Sequence, residues 1–160
     1  MRSLIFLILF LVGCSSTSSN FLDFSTPEKT QAETTVDDFK SRVGYLASDK
    51  LGGRSAGSKG DMLAKEYMVN LFEKSSSSVE VQDFEVITNR RTGDTAVTHN
   101  VIGVLPGNDP ELKEEYVIIG GHYDTTANPP KARKLFFDNI NNGADDNASG
   151  TAMVLELFEK

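Results

Sequence analysis

His122-Tyr123-Asp124 follows directly on the apolar run Tyr116–Gly121. A short continuous apolar run reads as a strand buried on both faces of an α/β sheet. Ligand sites in open α/β sheets collect at the carboxyl ends of strands. A histidine there is placed to bind a metal ion. A carboxylate two residues on can hold the other ring nitrogen, which fixes the tautomer and raises the basicity of the ligand. Taken alone, His-x-Asp more often marks a turn or a surface pair. The second group is Gly143-Ala144-Asp145-Asp146-Asn147-Ala148-Ser149-Gly150, two adjacent carboxylates among small residues at the start of a helix. Asp and Asn at a helix start are commonly only caps. Small neighbours, however, let the backbone come close to a bound group, and a carboxylate is a good zinc ligand. Residue type and spacing do not choose between Asp145 and Asp146.

The elements that must position these residues are legible in outline. Thr35-Val36-Asp37-Asp38 is a capping pattern, and Val36, Phe39, Val43 and Leu46 recur at helical spacing. Leu51-Gly52-Gly53-Arg54-Ser55-Ala56-Gly57 reads as a loop, because its glycines break either regular structure. Ser58-Lys59-Gly60-Asp61 opens a second helix with the stripe Ala64, Tyr67, Met68, Leu71 and Phe72, ending in the serines from Ser75. Val79 to Val86 alternates apolar and polar residues as a half-buried strand does. Arg90 to Asp94 is a turn, and Val97 to Leu105 a second strand closed by Pro106-Gly107. Thr125 to Asn142 is a polar loop containing Pro129-Pro130, and Thr151 to Phe158 begins an apolar helix. No internal repeat is evident. The glycine-rich segment is expected to shape a helix–helix corner, and His99, inside a predicted strand, to be satisfied by a partner or exposed.

The 160 residues carry 39% hydrophobic and 24% charged side chains and a formal charge of −7. That composition fits a soluble globular domain. There is no basic tract and no interleaving of aromatics with arginine, so a nucleic-acid role is excluded. The N-terminus is different in character. Met1-Arg2 is a short positive start, Leu4 to Val12 an apolar run, and Gly13-Cys14 precedes a Ser/Thr-rich stretch. These are the parts of a secretory signal, and the run is shorter than the roughly 20 residues of a transmembrane span. Leu11-Val12-Gly13-Cys14 resembles the lipobox of bacterial lipoproteins. The resemblance implies cleavage before Cys14, lipid on that cysteine, and a mature protein anchored in the cell envelope, with Ser15 suiting an outer membrane. Residues 1–13 are then the signal, 14–34 a flexible tether and 35–160 the domain. Cys14 is the only cysteine, so no internal disulfide forms.

From about Asp38 to Lys160 the chain resembles the M28 metallopeptidases. The likeness is carried by Leu51-Gly52-Gly53-Arg54, Asn100 to Gly107, His122-Tyr123-Asp124 and Gly143 to Gly150. The resemblance implies a three-layer α/β/α sandwich with a mixed, mostly parallel sheet of the zinc-exopeptidase type, and a zinc aminopeptidase acting on peptide N-termini. It further implies that His122 is a ligand of one zinc ion, that Asp146 bridges two, and that Asp124 orients His122. The family takes its general base and one ligand from an adjacent glutamate pair, and an acidic ligand and a histidine from segments later still. Only ten residues follow Gly150, and Glu156 and Glu159 are not adjacent. The domain is therefore expected to be cut short after the metal-bridging loop, to lack its general base, and to be inactive by itself. Apolar surface is expected to stand open on Tyr116–Gly121 and Thr151–Phe158. Two other functions compete: a glutaminyl-peptide cyclase on the same scaffold, and a non-catalytic lipoprotein module.

Overall fold

Helix α1, Val36–Leu46, starts at Thr35, whose hydroxyl accepts the Asp38 N–H at 3.0 Å. Helix α2, Lys59–Lys74, starts the same way at Ser58, which accepts from Asp61 N at 3.1 Å. Each cap satisfies one of the N–H groups that a helix start leaves without an internal partner. These elements belong to a computed structural model that describes residues 35–75, 78–126 and 140–159. All of them lie in one unit, Gln31–Lys160. The expected signal and tether with Cys14, and the middle of the expected Thr125–Asn142 loop, lie outside the described residues. No described helix is long and apolar enough to cross a membrane.

Strands β1, Ser78–Asn89, and β2, Asp94–Val104, pair as an antiparallel hairpin. Val79 faces Gly103 and Phe84 faces Thr98, with one irregularity between Ile87 and Asn89 beside the turn. The expected half-burial of β1 is met only in part, because its residues are exposed except for half-buried Val79 and Val86. Lengths account for the turn end. A strand of 12 residues reaches about 40 Å. Helix α2, which packs on the hairpin, has 16 residues and covers about 24 Å. The far half of the hairpin therefore runs beyond its cover.

Helix α3, Ser149–Phe158, lies against α1 and α2. The core is built from Leu46, Leu51, Ala64, Met68, Phe72, Tyr123, Ala148 and Leu155. Phe72 and Phe158 pack with ring centroids 4.2 Å apart, within the range for favourable aromatic pairs. Gly60 is required by close approach. A Cβ there would stand 1.7 Å from the Gly53 carbonyl oxygen, so the first turn of α2 lies directly on the Leu51–Gly53 backbone.

One expectation is not met. Among the described residues Tyr116–Gly121 forms no strand, and the sheet is two-stranded and antiparallel. A strand exists only through hydrogen bonds to a neighbour, and no described segment supplies one. The apolar surface expected here is open: Val117 and Ile118 are 90% and 92% exposed, and on α3 Met153 and Leu157 are also exposed.

Arg42 ties α1 to α3. Its Nε donates to Glu156 and its Nη2 to Glu159. Burial opposes the charge, but Glu159 and Glu156 outweigh it and hold the guanidinium above its ordinary value. The two glutamates that sequence spacing sets apart from a catalytic pair are thus structural ion-pair partners. Breaking a buried pair on one side costs about 3–5 kcal/mol, whereas replacing both partners by apolar residues is often neutral. Glu156→Ala is expected to lower the unfolding free energy by about 3 kcal/mol. Arg42→Met combined with Glu156→Leu is expected to recover most of that loss, read by urea denaturation.

Candidate metal centre

The site is assembled from three loops that a single side chain holds together. Arg54 is fully buried. Its Nε donates to the Tyr123 carbonyl at 2.6 Å, Nη1 to the carbonyls of Leu46 and Asn142, and Nη2 to the Gly143 carbonyl at 2.9 Å. Its own backbone pairs twice with Thr125: Arg54 N donates to the Thr125 hydroxyl at 3.0 Å, and Thr125 N to the Arg54 carbonyl at 3.1 Å. Burial pulls this guanidinium below its ordinary value, while the charges of Asp124 and Asp146 act the other way. The glycine-rich segment, expected to be a helix–helix corner, is therefore also the seat of the residue that fixes the site.

Asp61 supports the loop from below. It is fully buried and accepts from Gly57 N at 2.7 Å and from the Thr98 hydroxyl at 3.3 Å. Burial, with Asp61 close by, raises the Tyr123 hydroxyl well above its ordinary value, so the phenol stays neutral.

Residues 144–148 form one wide turn in which Ala148 N reaches back to the Gly143 carbonyl at 3.0 Å. Such five-residue turns are rare and recur at functional sites. Here the turn swings Asp146 and Asn147 out of helical geometry before α3 begins. Asn147 then donates to the His122 carbonyl at 3.2 Å, and the Thr151 hydroxyl donates to the same oxygen at 2.9 Å. Asn142 donates to the Ala47 carbonyl at 2.7 Å, so the end of α1 and the start of the turn are joined.

The result places His122, Asp124 and Asp146 side by side. His122 Nδ1 is 3.2 Å from Asp124 Oδ1, and Nε2 is 3.2 Å from Asp146 Oδ1. Asp145 contributes only its carbonyl, to the Ser149 hydroxyl. The side chains are open to solvent, 56% for His122, 52% for Asp124 and 84% for Asp146. A neutral imidazole has one N–H. In the tautomer that donates from Nδ1 to Asp124, Nε2 offers its lone pair on the side of the Asp146 carboxylate, where a cation would meet a donor from each. Two ligands of one tetrahedral zinc ion, each at about 2.0–2.1 Å, stand about 3.3 Å apart, so the donor pair fits that ion. Among the described residues no third His, Cys, Asp or Glu completes a group that could hold a metal. His99 lies elsewhere, satisfied by Asp83 at 2.8 Å and by the Met62 sulfur.

Residues 100–160 match the model of peptidase family M28, and His122, Asp124 and Asp146 all lie within the matched residues. Among solved structures, the glutaminyl cyclase of Fimbriiglobus ruber matches with a TM-score of 0.55 and 22% identity over 84% of this chain. The likeness is one of fold, and the match spans 43% of that cyclase's length. No curated protein matches the chain.

Arg54, Asn147 and Thr151 are the site-building residues that sequence reading did not single out. Their signals, an arginine among glycines and polar residues flanking a carboxylate pair, have many local explanations. Gly143 has φ +55°, and a Cβ there would stand 2.2 Å from Thr125 Cγ2 and 2.4 Å from the Asp146 carbonyl oxygen. The left-handed backbone costs a non-glycine residue about 1–2 kcal/mol, and overpacking typically 1–3 kcal/mol more. Gly143→Ala is expected to lose about 2–4 kcal/mol of stability, measured by chemical denaturation.

Proposed function

We propose that the protein containing this chain is a zinc-dependent aminopeptidase that hydrolyses the N-terminal residue of peptides. The reading is carried by one observation: a histidine backed by Asp124 and facing the Asp146 carboxylate at 3.2 Å, within the residues that match peptidase family M28. Bound zinc would make a water molecule acidic near neutrality and polarise the peptide carbonyl. His122 would offer Nε2 to the ion, with Asp124 accepting a hydrogen bond from Nδ1–H and so fixing the ring. Asp146 brings a negative oxygen to the same point. The family resemblance gives Asp146 a bridging role between two ions. A general base and further donors must come from residues other than those described here, and two donors alone do not sustain turnover. The three-layer sandwich with a mostly parallel sheet belongs to this same reading, with Tyr116–Gly121 as one of its inner strands.

A glutaminyl-peptide cyclase is the second reading, and the name of the cyclase of similar fold fits it. The Asp145-Asp146-Asn147-Ala148-Ser149-Gly150 run resembles the two-zinc peptidases and favours hydrolysis. The full-length protein, incubated with an aminoacyl anilide and with a peptide bearing N-terminal glutamine, separates them. Free amine from the anilide is the expected product. Ammonia from the glutaminyl peptide, without a released amino acid, would move the assignment to cyclisation. His122→Ala and Asp146→Asn are expected to abolish turnover, and Asp124→Asn to lower zinc affinity by about 10–100-fold.

Anchoring through lipid on Cys14 completes the proposal and places the activity at the envelope. Stable anchoring needs more than one acyl chain. Labelling cells with a fatty acid analogue is expected to tag the protein and to fail for Cys14→Ser.

A further inference from the structure

We infer that Arg54 is a positioning residue of the metal centre, whose guanidinium sets the separation of His122 from Asp146 before any ion arrives. This rests on the metal reading proposed above. The geometry is that of a bracket. One edge of the guanidinium holds the carbonyl of Tyr123, the residue between His122 and Asp124, at 2.6 Å. The other holds the carbonyls of Asn142 and Gly143, at 2.6 and 2.9 Å, just ahead of the turn that carries Asp146. The guanidinium is planar and its donors form a rigid fork, so the two chain segments are held at one spacing. The donor pair His122 Nε2 and Asp146 Oδ1 stands at the open end of that bracket.

Two features separate this from an ordinary buried arginine. All of its side-chain hydrogen bonds go to backbone carbonyls and none to a carboxylate. The group thus secures backbone position rather than an ion pair. Thr125 closes the bracket from the opposite side. Its hydroxyl accepts Arg54 N, and its methyl lies where a Gly143 side chain would be. A lysine keeps the charge and loses the fork. A valine at Thr125 keeps the volume and loses the hydroxyl.

The test uses the full-length protein loaded with Co2+, whose visible absorption reports coordination geometry. Wild type, Arg54→Lys, Thr125→Val and His122→Ala are compared for Co2+ affinity, absorption band and thermal melting. Arg54→Lys is expected to melt cooperatively, to bind Co2+ about 10–100-fold more weakly, and to show an altered band. Thr125→Val, with the guanidinium in place, is expected to fall between it and wild type. A purely structural arginine would lower only the melting temperature. A folded Arg54→Lys with wild-type affinity and band overturns the inference. If that variant does not fold, Thr125→Val decides in the same way. If wild type and His122→Ala bind Co2+ alike, the metal reading itself fails and the inference with it.

Discussion

A guanidinium taken out of water must find compensation for every donor, because an unpaired buried charge costs several kcal/mol. Arg54 gives each of its three side-chain nitrogens a partner, using backbone carbonyls from three separate places in the chain. One of them, Leu46, is the last residue of α1. A helix end leaves carbonyls without internal partners and carries partial negative charge. Arg54 and the Asn142 amide together satisfy that end, at Leu46 and Ala47. The same guanidinium therefore finishes α1 and locates both chemistry-bearing loops. Moving any one of these segments would strand a buried donor or acceptor.

That constraint explains how a largely exposed site is held in one geometry. The contacts of His122 with Asp124 and Asp146 are open to water, and exposed ion pairs contribute only about 0–1 kcal/mol. Such pairs cannot by themselves fix the backbone beneath them. The layer beneath does so: buried Arg54 on the Tyr123 carbonyl, buried Thr125 beside it, and buried Thr151 with half-buried Asn147 on the His122 carbonyl. Hydrogen bonds on buried polar groups carry a large penalty when broken. The carboxylates thus stay solvated and available while their positions are set from below.

What was legible in the sequence was local. Thr35 and Ser58 act within their own helix starts, and the hairpin follows from alternation and a glycine turn, so neighbouring residues contain the information. His122, Asp124 and Asp146 were recognisable as a set only through a family pattern. Geometry then brings the Asp146 carboxylate to the ring, in the wide turn after Gly143, while Asp145 accepts the Ser149 hydroxyl at its carbonyl. Arg54 was not legible as a site residue, since its partners lie 8, 69, 88 and 89 positions away. The run Tyr116–Gly121 was read as a buried strand from composition. Composition specifies what a segment would bury, not whether a neighbour is present to pair with it.

The contrast between that run and the residue after it shows where order begins. Val117 and Ile118 stand in solvent, while the His122 carbonyl a few residues further on accepts two hydrogen bonds from the Asp146 loop and α3. The polypeptide thus passes from unpaired to doubly anchored within a few residues, and one anchor, Asn147, comes from the same turn that carries the second donor. His122 and Asp146 are therefore coupled through backbone as well as through their side chains. A displacement of the wide turn would move the histidine with it, which keeps the donor spacing.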